Sequence, residues 1–410
     1  MSYFSPAPAP PTKLGRHRVF SKLAGIHVSP ICLGGGNIGD QWHKIGAGAM
    51  TKETSFQLLD AFYEAGGNFI DTANNYQDET SEMFIGEWME QRGIRDQIVL
   101  ATKYSSPYKK HRQDIKQQTS YVGNNLKSMR ISVDESLNKL RTSYIDIFYV
   151  HWWDWDTSIE EVMNGLHNLV VAGKVLYLGI SDAPAWVVSR ANTYARLTGK
   201  TPFVVYQGAW SILQRDLERE IIPMCREEGM AIAPWNVLAA GKIRTDEEEE
   251  RRRQTGEKGR TMFGPNWERN ETEKKVAKVL EGVASEVGAS NIQAGESPVS
   301  QCSLSLLLIV FTLMCSQFAV AIAYVMQKVP YVFPIVGGRK VEHLKANIEA
   351  LDVVLTDEHI KRLESAVPFD VGFPNNMFGD GTEYPAFGFR NVGTFDKWPR
   401  AQAIRPQPSQ

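Results

Sequence analysis

Cysteine is scarce in this chain and an excess of charge of either sign is missing; both absences narrow what it can be. The four cysteines, Cys32, Cys225, Cys302 and Cys315, are spread along 410 residues. They form no CxxC pair and no zinc-like cluster with histidine, so no metal is expected and they read as reduced thiols of a cytoplasmic protein. Lysine and arginine number 45 against 47 acidic residues, a formal net charge of -2. With no broad basic face, a nucleic-acid partner is disfavoured. No G-x-S-x-G elbow is present to activate a serine, and no H-E-x-x-H pair to hold a catalytic metal. The opening MSYFSPAPAPP lacks a basic segment followed by an apolar core and does not read as a signal peptide. Its Pro/Ala alternation makes residues 1–16 a disordered or polyproline-like lead-in.

What is present is an alternation of strand and helix patterns. From Arg18 to Leu33 the pattern suggests a hairpin turning at Ala24-Gly25, then a first core strand near Pro30–Leu33. Further strands are expected at Asn68–Thr72, Ile98–Lys103, Tyr144–His151, Val175–Ser181, Phe203–Gln207, Met230–Pro234 and Tyr331–Val336. Helical patterns lie at Lys52–Ala65, Ser81–Arg92, Tyr121–Arg141, Ile159–Ala172, Ala185–Leu197, Leu217–Glu228, Lys274–Val287 and Val341–Ala350. Such units indicate a parallel sheet covered by helices, and eight of them close into a (β/α)8 TIM barrel over residues 17–367. An open doubly wound sheet is the runner-up. Its one supporter is the G-x-G-x-x-G match at Gly34–Gly39, but no helical periodicity follows until Lys52, so these glycines read as a permissive loop at the barrel mouth. The charged stretch Thr245–Arg260 reads as a solvated loop or helix, placed where a lid over a ligand would lie. The tail 368–410 looks irregular, either draping aromatics over the site or fraying.

Four residues stand at matching strand ends: Asp71 and Tyr76 in FIDTANNY, Lys103 in VLATK and His151 in IDIFYVH. A lone titratable residue at the polar end of each apolar strand is the pattern of a barrel active site. A phenol with a pKa near 10 is a poor acid at neutral pH. An adjacent lysine is expected to lower that pKa, a carboxylate to keep the lysine charged, and a histidine to orient the substrate oxygen or share the proton. Reduction of a carbonyl by an external hydride donor fits this set better than hydrolysis.

On these residues the chain resembles the aldo-keto reductases from about Val19 to Val367, and Asp71, Tyr76, Lys103 and His151 match the family's catalytic tetrad. The resemblance implies a (β/α)8 barrel that moves a hydride between NADPH and a small-molecule carbonyl without a metal. KYSSPYK, YVHWWDW, LGISDAPAW, QGAWSILQRDLEREIIPM and PIVGGRKVEHLKANIEAL are similar to the fungal aryl-alcohol dehydrogenase and norsolorinic acid reductase branch. Its members act on aromatic aldehydes, alcohols or polyketide ketones, often in secondary metabolism. The same resemblance implies that Ser181, Asp182 and Gln207 hold the nicotinamide carboxamide, Asp182 standing where much of the family has asparagine. Trp210 would stack on the ring. Pro234–Lys242, with Pro234, Asn236, Leu238, Gly241 and Lys242, would run along the pyrophosphate.

At the adenosine end Gly337, Gly338, Arg339, Lys340, His343 and Asn347 match a strand-to-helix segment, with Gly337, Gly338 and His343 departing from the usual residues. Arg339 and Lys340 would grip the 2′-phosphate of NADP(H). Trp42, Trp152 and Trp153 lie beside the tetrad, with Trp155 close by, and read either as packing or as a wall for a flat aromatic substrate. Some proteins of this family, such as potassium-channel β subunits, serve instead as nucleotide-sensing binding subunits.

One stretch departs from the family. Relatives run from a segment like Asn291–Ala294 straight into one like Val320–Lys328, whereas Gly295–Ala319 separates the two here. Leu304–Val325 carries no charge and reaches the length of a membrane span. A span there would cut the barrel before its eighth unit, so no membrane is expected. Gly295-Glu296-Ser297 can be encoded with an internal GTGAGT, like a fungal 5′ splice site, and Ser316-Gln317 with a terminal CAG. The stretch is therefore expected to be translated intron.

Overall fold

In a computed structural model of the chain, residues 4–46, 48–256, 261, 266–293, 305–385 and 388–406 are described, with 289–293 and 305–316 as helical backbone alone. Strands β1 (Arg18–Ser21) and β2 (Ala24–Val28) form an antiparallel hairpin. Its turn falls at Lys22-Leu23, ahead of the expected Ala24-Gly25. The Ser21 hydroxyl accepts from the Leu23 N–H at 3.1 Å, and Ala24 already pairs with Ser21.

The barrel strands are β3 (Cys32–Gly34), β4 (Phe69–Asp71), β5 (Val99–Tyr104), β6 (Ile145–Val150), β7 (Val175–Ser181), β8 (Phe203–Ala209), β9 (Ala231–Trp235) and β10 (Ile335–Val336). They pair in parallel in chain order, with β10 returning beside β3. Ile232 closes the ring against the last unit: its N–H donates to Tyr331 O and its carbonyl accepts from Phe333 N, both at 2.9 Å. The closed barrel excludes the open doubly wound sheet. Gly35–Asn37 make only a single 3-10 turn after β3, so no dinucleotide-binding helix opens there.

The helices among the described residues are α1 (Lys52–Glu64), α2 (Thr80–Arg92), α3 (Leu126–Lys139), α4 (Ile159–Val171), α5 (Ala185–Leu197), α6 (Ile221–Glu228), α7 (Asp246–Thr255), α8 (Glu271–Gln293), α9 (Ser305–Lys328), α10 (Val341–Ile348), α11 (Asp357–Ser365), α12 (Asn375–Phe378) and α13 (Phe389–Val392). Side-chain caps set several starts. Thr51, Asn125 and Ser158 accept from the N–H groups of Thr54, Ser128 and Glu161. The Asn125 cap explains why α3 begins later than Tyr121.

Strand periodicity sorts the sheet into two cores. Residues of one parity face the helices, among them Leu33, Ile70, Leu100 and Phe148. The other parity fills the barrel with Cys32, Phe69, Val99, Ala101, Ile147, Tyr149, Val205, Ala231 and Ala233. The hairpin plugs the lower end of this interior, with Phe20 edge-on to Phe69 at 5.4 Å between ring centroids. Carried upward, the same inward parity reaches Asp71, Lys103, His151, Ser181 and Gln207. The tetrad is therefore the polar top layer of an apolar barrel.

Residues of the lead-in pack on the barrel as well: Thr12 Oγ1 donates to Ala65 O at 2.8 Å and Leu14 is fully buried. The tail runs along α6 rather than across the mouth. Asn375 Nδ2 donates to Arg219 O at 2.7 Å, and Arg226 pairs with Asp380 at 3.0 Å. Of the anomalous stretch, 295–304 lie outside the described residues, while Ser305 onward continues as α9 into the buried segment Ala319–Met326. Among the described residues no helix is long and apolar enough to cross a membrane.

Candidate active site

The strand ladder continues beyond the strand ends and fixes the tetrad's backbone. Thr72 N donates to Ala101 O at 2.8 Å, Asn74 N to Lys103 O at 3.1 Å and His151 N to Tyr104 O at 3.1 Å. Lys103, fully buried, places its Nζ 2.6 Å from Asp71 Oδ2, 2.8 Å from Thr72 O and 3.4 Å from Tyr76 Oη. The other Asp71 oxygen accepts from Gln207 Nε2 at 3.0 Å. The Tyr76 and His151 rings meet edge-on, 5.9 Å between centroids.

The electrostatics follow from depth. Burial acts against the Lys103 charge, but Asp71 and Tyr76 beside it prevail and hold its pKa above the ordinary value. Burial also raises Tyr76, and this outweighs the nearby ammonium. That corrects the expectation of a lowered phenol pKa: the low-dielectric site penalises phenolate more than one lysine, itself neutralised by Asp71, can repay. Burial, with Lys103, pushes His151 well below the usual imidazole range. The resting set is a neutral phenol, an ammonium paired with Asp71 and a neutral imidazole.

Two neighbours orient the imidazole. Ser106 Oγ lies 3.1 Å from His151 Nδ1 and accepts the Trp152 indole N–H at 3.3 Å. The hydroxyl keeps its hydrogen and a second lone pair, so it can meet Nδ1 in either tautomer; with the proton on Nε2 the ring carries an N–H on its other nitrogen.

A cleft of about 900 Å³ opens from this layer and extends past β9 to the start of α10. Of the expected residues, Trp42, Asp71, Tyr76, His151, Ser181, Asp182, Gln207, Asn236, Leu238, Gly241, Gly337, Gly338, Arg339 and His343 line it. Others do not reach its wall. Trp210 is fully buried with its indole N–H on Glu218 Oε1 at 3.1 Å, so it is not placed to stack on a ring in the cleft. Lys242 turns away to the carbonyls of Asn266 and Glu268, at 3.2 and 2.5 Å. Pro234 and Asn347 are buried, and Lys340 is exposed at the N-cap of α10. Trp153 packs in the outer core, and Trp152 acts on the site through Ser106.

Lining residues not singled out from the sequence include Ser106 and Arg252, with Trp235 named only as part of the run Pro234–Lys242. Trp235 ends β9, and its Nε1 lies 3.4 Å from Asp182 Oδ1; its place beside Pro234 was the available signal. Arg252 sits on α7, one turn after Glu248, which accepts its Nε at 2.7 Å. That i,i+4 spacing was legible, but its direction into the cleft was not. Asp182 opens onto the cleft with a left-handed φ of 45°, and surrounding protein pushes its carboxyl up to about 6.

The far end suits a phosphorylated dinucleotide. Arg252, Arg339 and His343 gather there with the first turn of α10. Along the middle, Asn236, Ala239, Ala240 and Gly241 all hold positive φ, which turns the backbone of this segment about the cleft.

Comparison with known proteins agrees with this arrangement. The sequence model of the Aldo/keto reductase family matches residues 30–295 and 309–368. The chain is 63% identical over 410 residues to an aryl-alcohol dehydrogenase [NADP(+)] of Phanerodontia chrysosporium, covering 99% of this chain and 100% of that one. It is 49% identical over 369 residues to a norsolorinic acid reductase of Emericella nidulans, covering 90% and 86%. With norsolorinic acid reductase A of Aspergillus parasiticus it shares 46% identity over 412 residues, covering 98% and 96%. A closed parallel barrel, a Tyr–Lys–Asp–His layer at its C-terminal end and a match over most of the chain lead to one conclusion: the protein belongs to the aldo/keto reductase family.

Proposed function

We propose that this protein interconverts an aromatic or polyketide-derived aldehyde or ketone and its alcohol, using NADP(H), with Tyr76 as general acid in reduction and general base in oxidation. The observation that carries the reading is Lys103 Nζ, held between Asp71 Oδ2 at 2.6 Å and Tyr76 Oη at 3.4 Å. The bound nicotinamide supplies the hydride in reduction and accepts it in oxidation. Tyr76 gives its proton to the carbonyl oxygen as that oxygen gains charge, and Lys103 stabilises the phenolate left behind. His151 Nε2–H, oriented through Ser106, donates a hydrogen bond to the same oxygen and aligns it with the phenol. Asp71, itself held by Gln207, fixes Lys103.

Arg252, Arg339 and His343 would hold the adenosine phosphate, and Ser181, Asp182 and Gln207 the carboxamide. Trp42, whose ring lies 6.0 Å from that of Tyr76, offers a flat wall for an aromatic substrate. The kinship with a fungal aryl-alcohol dehydrogenase and norsolorinic acid reductases supports that substrate class. The buried free thiols Cys32 and Cys225 support a reducing, cytoplasmic setting.

Tyr76→Phe should lower kcat by about 10²–10⁴-fold while NADPH still binds in a fluorescence titration. Near-wild-type turnover by Tyr76→Phe on aromatic aldehydes would overturn the assignment. Absence of steady-state turnover in the unmodified protein on a panel of aromatic aldehydes and ketones would favour the nucleotide-sensing role.

A further inference from the structure

Directly after Tyr76 three consecutive non-glycine residues hold left-handed backbone, with φ of 52° at Gln77, 48° at Asp78 and 80° at Glu79. L-residues avoid this region because Cβ crowds the carbonyl oxygen. The turn must therefore be held by its surroundings, and side chains hold it on two sides. On one, Gln77 Oε1 accepts from the N–H groups of Gln41 and Trp42 at 3.1 and 2.8 Å, and Asp78 Oδ1 accepts from the Trp42 indole at 2.9 Å. On the other, the buried Glu79 carboxylate receives Lys109 Nζ at 3.0 and 2.9 Å and Lys139 Nζ at 3.0 Å, with His111 Nε2 3.7 Å away.

None of these groups touches the reacting atoms. Lys109, however, belongs to the loop between β5 and α3 that presents Ser106 to His151. One buried carboxylate thus ties the turn carrying the phenol to the loop aiming the imidazole. Resting on the Tyr76 reading above, we propose that Glu79 is a positioning residue whose bridge to Lys109 sets the spacing of Tyr76 and His151 around the carbonyl oxygen. A loosened bridge lets the acid and the orienting donor drift apart while the cofactor cleft stays intact.

Glu79→Gln tests this without stranding either lysine, since Lys109 keeps Glu135 at 3.0 Å and Lys139 keeps Glu82 at 2.7 Å. Its kcat should fall by about 10–100-fold, as misplacement near 1 Å does, with carbonyl KM and NADPH affinity little changed. Lys109→Met, which leaves the Glu79–Lys139 pair in place, should show the same split. Glu79→Gly frees the backbone of its strained φ but removes the carboxylate, and should be as slow as Glu79→Gln without melting lower. In a Tyr76→Phe background, Glu79→Gln should cost nothing further, because no phenol remains to be placed. Unchanged kcat per folded enzyme in both Glu79→Gln and Lys109→Met, with Tyr76→Phe inactive, would overturn the positioning role and leave the mechanism standing. An active Tyr76→Phe would instead remove the mechanism and this inference with it.

Discussion

At the residue scale, the cofactor cleft separates side chains that sequence places together. Arg339 and Lys340 are neighbours in the chain, yet only Arg339 lines the cleft. Arg339→Ala should therefore weaken NADPH binding by roughly 10–100-fold, the worth of one charge-assisted hydrogen bond, and leave NADH nearly unchanged. Lys340→Ala should alter neither, as read by fluorescence titration. Asp182 gives a prediction in pH. Its carboxyl is pushed up to about 6 from an ordinary 3.8 by its surroundings. The folded state then favours the protonated form, so folding carries a cost above pH 6 that fades as pH falls through 6 toward 3.8. Asn tolerates the left-handed φ. Asp182 is exposed, so water screens much of that cost, and Asp182→Asn should melt only slightly higher than wild type at pH 8, with the gap closing by pH 4. A gap that widens toward acid would contradict this.

At the element scale, α7 differs from the solvated segment its composition suggests. Glu248 and Glu249 are 6% and 2% exposed, and Glu249 Oε2 receives Arg244 Nη2 at 2.7 Å and Arg269 Nε at 2.9 Å. Burial works against the Glu249 charge, but hydrogen bonds from Arg269 and Arg244 outweigh it and hold the carboxyl down at about 2. This places stability above the ordinary range near 4.5 that is lost as pH falls toward 2. Glu249→Gln leaves the buried Arg244 guanidinium without its counter-charge, while Arg269 keeps Asp246 at 2.6 Å; breaking a buried pair in this way costs about 3–5 kcal/mol. The loss should appear in urea melts at pH 7. Because α7 also carries Arg252, NADPH affinity should fall with it.

At the scale of the whole molecule, the described residues run in order around the barrel, and 294–304, between α8 and α9, lie outside them. The family match breaks at 296–308, inside the stretch whose ends can be encoded by codons resembling intron boundaries. The segment that the barrel uses, Ala319–Met326, is buried at the far end of α9. On the intron reading, the mature transcript lacks this stretch, and peptide mapping of active native enzyme recovers nothing from Leu304–Cys315. Recovery of such peptides from active enzyme would end that reading. A chain that retains the uncharged run is expected to aggregate or adhere to membranes more readily than one without it.

The sequence by itself determined the barrel and the tetrad, because both rest on local rules. Period-two burial sends alternate residues inward, and one more inward position beyond each apolar run yields Asp71, Lys103 and His151. Helix starts were legible where a capping residue such as Thr51 or Ser158 stood, and less so where a turn preceded the cap, as at Tyr121. Only the tertiary structure decided which neighbours face the cleft. Trp210 was expected there but turns onto Glu218, while Trp235, Ser106 and Arg252 enter the wall from the end of β9, the loop after β5 and helix α7. It also decided the sign of the Tyr76 shift, since residue types show that an ammonium is near but not how deeply the phenol is buried. Partner choice among long polar side chains depends on contacts far apart in sequence, such as Glu79 with Lys109 and Lys139, and no local pattern specifies those.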